Sequence, residues 1–285
     1  MELLMQSMDP GERIYCSGYW PLPGNQKRER GHYDACLPLT IQMLEGSALH
    51  FYSSDDGVLE RVEELCSVHR IAPRLVRMQL HELPAWDLAD EFVRCCERMN
   101  LRVYGQLEGR VKDKGVRHYW RDLRGSGADA YRSLLAIWLS KVDLAASLAE
   151  GLAGDCVLSW VDASLARKNH GRVGWDFTKI AIPRGKFCHY SSKMSVYGSR
   201  LPLSAGFLGA EASTWRELAA IYVAMRQRLI AMPYGHDEET ILSRCQAENP
   251  ALFHCIDQQQ LPEPVSRTPL QRLKRLLRGF VAPGR

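Results

Sequence analysis

Two hydrophobic periods alternate along the front of the chain. Residues 12–20 (ERIYCSGYW) form an extended apolar and aromatic run and predict a first strand. A polar, basic loop over 21–31 follows, and residues 33–44 take up a helical pattern. Residues 48–53 (ALHFYS) read as a short buried strand that ends at Asp55-Asp56-Gly57. In 58–69, Val58, Leu59, Val62 and Leu65 share one face, which predicts an amphipathic helix with Ser54 or Asp56 as its cap. A third strand over 72–80, a helix over 85–99 and a further strand over 101–106 come next. The longest helical pattern covers 129–152, where Leu134, Leu135, Trp138, Lys141, Leu144 and Ala145 recur at helical spacing and Gly151 and Gly154 end it. It leads into residues 156–161 (CVLSWV), an almost wholly apolar strand that ends in Asp162. A continuous apolar strand between helices predicts a central, mostly parallel sheet flanked by helices.

The back of the chain is patterned differently. Residues 173–207 are rich in Gly, Ser, Tyr and Lys, with strand-like pieces at 179–182 and 187–190. Helices are predicted over 215–230 and 240–247. The expected fold class is α/β in front and α+β behind. One domain is expected over 1–263, with halves at about 1–165 and 166–263, followed by a tail over 264–285. At 46% apolar and 25% charged residues, the chain has the balance of an ordered globular protein.

Charge singles out the tail. The formal net charge is +4, but six basic residues and no acidic one lie within 267–285, so the remainder is slightly acidic. That balance argues against nucleic acid as a partner. Thr268-Pro269 is a good helix start, and Leu270, Leu273, Leu276, Leu277 and Phe280 then share a face opposite Arg272, Lys274, Arg275 and Arg278. A short basic amphipathic C-terminal helix suits an anionic membrane surface, or docking on the body with its charged face outward. No apolar run reaches the ~20 residues that span a bilayer, and the first ten residues lack a secretory pattern. The expectation is a cytoplasmic protein, peripheral at most. Nine cysteines, with no C-x-x-C pair, read as small apolar residues in a reducing compartment.

Ligands collect at the carboxyl ends of parallel strands, where the loop 21–31, Asp55-Asp56 and Asp162 are all expected. Asp162 is followed by Ser164, Arg167 and Lys168. A carboxylate there can hold a hard dication that bridges phosphates, and Arg167 or Lys168 can meet phosphate directly. The alternative is an aspartate that caps the next turn. In 235–240 (GHDEET), adjacent carboxylates Asp237, Glu238 and Glu239 can push one another's pKa apart, or form a solvated acidic first turn. Gly206-Phe207-Leu208-Gly209-Ala210 reads as a glycine loop open to a ligand, or as a tight turn into the next helix. The dinucleotide, phosphate-loop and nucleophile-elbow motifs G-x-G-x-x-G, G-K-[ST] and G-x-S-x-G are missing, which disfavours dehydrogenase, P-loop ATPase and serine hydrolase readings.

In this order the segments resemble the HtrL/YibB–WlaTC family of bacterial glycosyltransferases. The residues concerned are Trp138-Leu139-Ser140-Lys141, Trp160-Val161-Asp162-Ala163 with Arg167, Ser204-Ala205-Gly206-Phe207-Leu208-Gly209, His236-Asp237-Glu238-Glu239-Thr240 and Asn249-Pro250-Ala251-Leu252-Phe253. The resemblance spans roughly 13–253 and implies a GT-A-like fold. It also implies transfer of a sugar from a nucleotide-sugar donor to a saccharide or lipid-linked saccharide acceptor, in cell-surface polysaccharide (lipopolysaccharide-like) assembly. On it, Asp162 would bind a divalent metal (Mn2+ or Mg2+) and the donor diphosphate, with Lys141, Arg167, Arg30 and Asp56 on the donor side. Asp237 and Glu238 would lie near the reacting carbon as catalytic carboxylates, and Gly206, Phe207, Gly209 and His236 would border the acceptor. The D-x-D metal motif of such enzymes reads here Asp162-Ala163-Ser164. Without a metal, Arg167, Lys168 and the basic Lys27-Arg28-Arg30 must offset the diphosphate charge. Inverting and retaining routes both fit. A nucleotidyltransferase fits less well, for want of a glycine-rich loop after the first strand. A non-catalytic interaction protein on a degenerate transferase fold is the alternative of a different class.

Overall fold

Strand β1 (Arg13–Gly18) sends Ile14 and Cys16 to one side and Tyr15 to the other, all fully buried. A strand covered on both faces belongs at the centre of a sheet, and the computed structural model places it there. The structure describes residues 13–25, 30–98, 114–169, 177–196, 199–230 and 237–257, without the side chains of 97–98 and 168–169. The strands expected over 101–106 and the tail over 264–285 lie outside the described residues.

Seven strands form the sheet in the order β3-β2-β1-β4-β8-β5-β9. β2 (Ala48–Ser53), β3 (Ala72–Arg77) and β4 (Val157–Val161) run parallel to β1, directly or through their neighbour. β8 (Ser204–Glu211) pairs antiparallel with both β4 and β5 (Phe187–Tyr190), and β9 (Phe253–Cys255) pairs parallel with β5. A two-stranded ribbon, β6 (Ser195–Val196) and β7 (Ser199–Arg200), lies apart. The chain is thus α/β, with a mostly parallel seven-stranded sheet into which the second half inserts its strands.

Helices cover both faces. α1 (Arg30–Gln42) and α2 (Asp56–Val68) bury Leu37, Ile41, Val58 and Val62 against Leu49 and Phe51 on one side. On the other, α3 (Trp86–Arg98), α5 (Ala128–Glu150), α6 (Ala212–Arg228) and α7 (Glu238–Glu248) pack against Ile14, Leu158 and Trp160. Between α3 and α5, a short α4 (Lys114–Arg117) continues as a π-helix, His118–Gly125. No helix among the described residues is long and apolar enough to cross a membrane, and none of the nine cysteines is bonded to another.

Several local expectations are corrected. The cap of α2 is Asp55, whose carboxylate accepts from the Val58 amide at 3.0 Å, and neither Ser54 nor Asp56 takes that place. β3 stops at Arg77: the Met78 amide makes the last bond to β2, on the Ser53 carbonyl at 2.9 Å, and a 3-10 turn over Leu80–Glu82 takes the place of the expected strand end. Residues 179–182 are not a strand. The Arg13 guanidinium draws in the carbonyls of Phe177 and Ile180, and the Pro183–Lys186 turn with Gly185 at φ +64° follows. Gly206 to Ala210 is no loop either: it is the middle of β8, buried between β4 and β5.

Candidate functional site

The strand order reverses between β1 and β4, since β2 and β3 lie to one side of β1 and β4 to the other. Ligands collect at the carboxyl ends of strands where the strand order reverses. A cleft of about 790 Å3 lies there, a size that suits a small organic ligand. Gly18, Tyr19 and Trp20 line it from β1, and Asp162, Ser164 and Arg167 from β4. Tyr19 stacks on Tyr33 of α1, ring centroids 4.4 Å apart and planes 16° apart.

Asp162 is fixed at every polar atom. Its amide donates to the Gly206 carbonyl at 2.9 Å, and its carbonyl accepts from Leu165 at 2.8 Å. One carboxylate oxygen, Oδ1, accepts from Lys141 Nζ at 2.7 Å and from the Trp160 indole at 3.1 Å. The other faces the Arg167 guanidinium at 3.5 Å, and Arg167 also donates to the Ser164 hydroxyl at 2.7 Å. Burial would raise the Asp162 carboxyl, but Lys141 and Arg167 outweigh it and hold the group below the usual carboxylate range.

Lys141 stands in the apolar stripe of α5, one turn from Trp138, and is 5% exposed. A buried ammonium survives only when paired. Lys141 also donates to Glu238 Oε1 at 2.6 Å, so it bridges the end of β4 to the start of α7. Both carboxylates keep its ammonium charged against the opposing effect of burial.

A second buried bridge runs beside the first. Lys114 of α4 meets Asp237 and, at 2.5 Å, Glu239. Asp237 caps α7, accepting from the Thr240 amide and hydroxyl at 3.0 Å each. Glu239 accepts from the Ala205 amide at 2.9 Å. The His118 imidazole lies 3.7 Å from Asp237 and stacks on Trp138. Burial tends to raise Asp237, but Lys114 and Thr240 bring it below its ordinary value. Glu238 goes the other way. Burial lifts it to about 7, Lys141 pulls it down only in part, and the charges of Asp237 and Glu239 add to the rise.

The residues around Asp162 do not fit a dication as they stand. Both carboxylate oxygens face cations, Ser164 is engaged by Arg167, and no three His, Cys, Asp or Glu side chains among the described residues are grouped to hold a metal ion. Asp162 is therefore an ion-pair anchor in this arrangement.

Of the expected site residues, Lys141, Asp162, Arg167, Asp237 and Glu238 come together on the cleft. Arg30 and Asp56 stay outside it. Arg30 pairs with Asp55 at 3.5 Å, and Asp56 pairs with Arg77 at 3.2 Å on the surface. Gly206, Phe207 and Gly209 are interior: Phe207 stacks on Phe177, and Gly209 is walled in by Ser159 and Ile182. They support the site from behind and do not face an acceptor. Lys27, Arg28, His236 and the side chain of Lys168 lie outside the described residues. Sequence reasoning missed Lys114, Arg117, His118 and Arg121, which also line the cleft. The signal was present in 114–125 (KGVRHYWRDLRG), where basic and aromatic residues interleave.

No protein-family model matches the chain, and no curated protein sequence matches it.

Proposed function

We propose that the protein is a glycosyltransferase of GT-A-like fold that moves a sugar from a nucleotide-sugar donor to a saccharide acceptor. The observation that carries this reading is the bridge Asp162–Lys141–Glu238 at the β1/β4 reversal. It sets a fixed cation and a neutral-range carboxylate side by side in a ligand-sized cleft. The placement of the reaction in bacterial cell-surface polysaccharide assembly, with a lipid-linked acceptor and an anionic membrane beneath the tail, rests on the sequence resemblance and the basic pattern of 264–285.

Breaking the bond between sugar and phosphate leaves negative charge on the diphosphate. Fixed cations that meet the charge as it develops lower the barrier by several kcal/mol, about 3 in well-aligned cases. Arg167 and Lys141 are the side chains set for that role, and no step needs a dication. The acceptor hydroxyl must lose its proton as it attacks. Glu238, poised at about 7, is the base with matched proton affinity. Asp237, with one oxygen capping α7 and the other on Lys114, is a positioning residue.

The test is release of nucleoside diphosphate from a panel of nucleotide sugars with saccharide acceptors, with and without Mn2+. One donor is expected to turn over, and Glu238→Gln to lower kcat about 100-fold or more with nucleoside diphosphate binding retained. Consumption of no donor, or a Glu238→Gln enzyme as fast as wild type, sinks the reading.

A further inference from the structure

Two cations on the lining of the cleft take no part in its internal ion pairs. Lys114, Lys141 and Arg167 are each met by carboxylates. Arg117 and Lys193 also line the cleft, both exposed, and among the described residues neither has a hydrogen bond or ion pair. Arg121 stands beside Arg117, one turn on. Its Nε and Nη2 fork onto Asp122 at 2.6 and 2.8 Å, which leaves the Nη1 nitrogen outside the fork.

These cations project from ordered elements. Asp122 is fully buried, so it fixes the Arg121 guanidinium as a rigid arm within the π-helix His118–Gly125. Such helices carry an extra residue per turn and recur at functional sites. Lys193 sits on a pinned turn. Asp257 accepts from the amide and hydroxyl of Ser191, and Ser192 Oγ accepts from Met194 at 3.1 Å. The Ser192 carbonyl takes the Arg200 guanidinium at 3.2 Å. β6, which follows this turn, packs on α4, which carries Arg117. Burial and the like charge of Arg121 both press on the Arg117 guanidinium. Two guanidinium groups thus stand close enough to repel each other on the lining of the cleft.

We propose that Arg117, Arg121 and Lys193 form a phosphate subsite that binds a diphosphate or phosphate group without a metal ion. Guanidinium forks match phosphate oxygens geometrically, and a flexible ammonium completes the charge. The binding itself is independent of the transferase reading. Only its assignment to donor or acceptor rests on that reading.

Inorganic pyrophosphate is the probe, titrated calorimetrically into the full chain in the presence of EDTA. Wild type binds, and the double variant Arg117→Ala/Lys193→Ala binds at least about 10-fold more weakly. Both side chains are exposed and unpartnered, so the melting temperature is expected to stay at the wild-type value. Arg184→Ala, a cation on another surface, tests the general field and leaves the affinity unchanged. Displacement of pyrophosphate by nucleoside diphosphate upholds the subsite and assigns it to the donor. Retention of pyrophosphate beside bound nucleoside diphosphate upholds it and assigns it to a phosphate-bearing acceptor. Absence of pyrophosphate binding, equal affinity in the double variant, or equal weakening by Arg184→Ala overturns it. Turnover of a nucleotide sugar together with one of those three results overturns the subsite alone. Pyrophosphate binding without turnover of any donor removes the transferase reading and keeps the subsite.

Discussion

Asp237 and Glu238 are neighbours in the chain, equally buried, and yet displaced in opposite directions. The difference lies in their partners. Asp237 has the α7 amides, the Thr240 hydroxyl and Lys114, whereas Glu238 has one shared ammonium. The folded Glu238 carboxyl binds its proton more tightly than the ordinary value of 4.5. Its contribution to stability is therefore present at low pH and is lost as pH rises through about 7. Melting curves should show the Glu238→Gln variant gaining on wild type between about pH 5 and pH 8, since glutamine carries no charge to desolvate. A gap between the two that is constant across that range would contradict the assignment. On the same grounds kcat/KM should rise with pH to a plateau above about 7. Asp162 and Glu238 were legible in the sequence because a strand end and an acidic cluster announce themselves. Lys141 was legible through resemblance only, because its neighbours Leu134, Trp138 and Ala145 make its position look like core. Lys114 to Arg121 offered interleaved basic and aromatic residues but no helical period to place them, since only one turn of α-helix precedes the π-helix His118–Gly125.

At the scale of elements, the front of the chain follows its hydrophobic pattern closely. β2, β4, α3 and α5 fall where the periods place them. β8 does not, and its composition explains why. Gly206, Gly209 and the alanines beside them look like a flexible loop, but they form a buried strand, and Gly209 serves close packing. A Cβ on Gly209 would lie 2.9 Å from Ser159 Oγ and 3.0 Å from Ile182. Ser159 is the residue paired with Gly209 across the β4–β8 ladder. Gly209→Ala is expected to cost about 1–3 kcal/mol through overpacking, read by urea unfolding. Gly31, in the first turn of α1 with open space around it, is the matched control. Gly31→Ala should leave stability unchanged or raise it by up to about 1 kcal/mol. Equal effects at the two positions would mean that the neighbours of β8 yield, and that Gly209 is not needed for packing.

For the whole molecule, the sheet ties the two halves of the chain into one core. β8 lies between β4 and β5, so the antiparallel strand from the second half seals the parallel set from the first. Its residues are buried along nearly the whole length, while the edge strand β3 is largely exposed. Native-state hydrogen exchange should accordingly find the slowest amides in β4 and β8 and the fastest strand amides in β3. Faster exchange in β4 than in β3 would contradict a continuous core. The expectation of a front and a back half was silent about this insertion, because pairing between distant strands leaves no trace in local periodicity.

The indole of Trp160 is sealed at 1% exposure, and its one polar atom is bonded to the carboxylate that anchors the cleft. Any ligand that draws Lys141 or Arg167 away from Asp162 changes the field across that ring. Occupancy of the crevice is therefore expected to change the ultraviolet emission of the unlabelled protein, and Trp160→Phe to diminish that change.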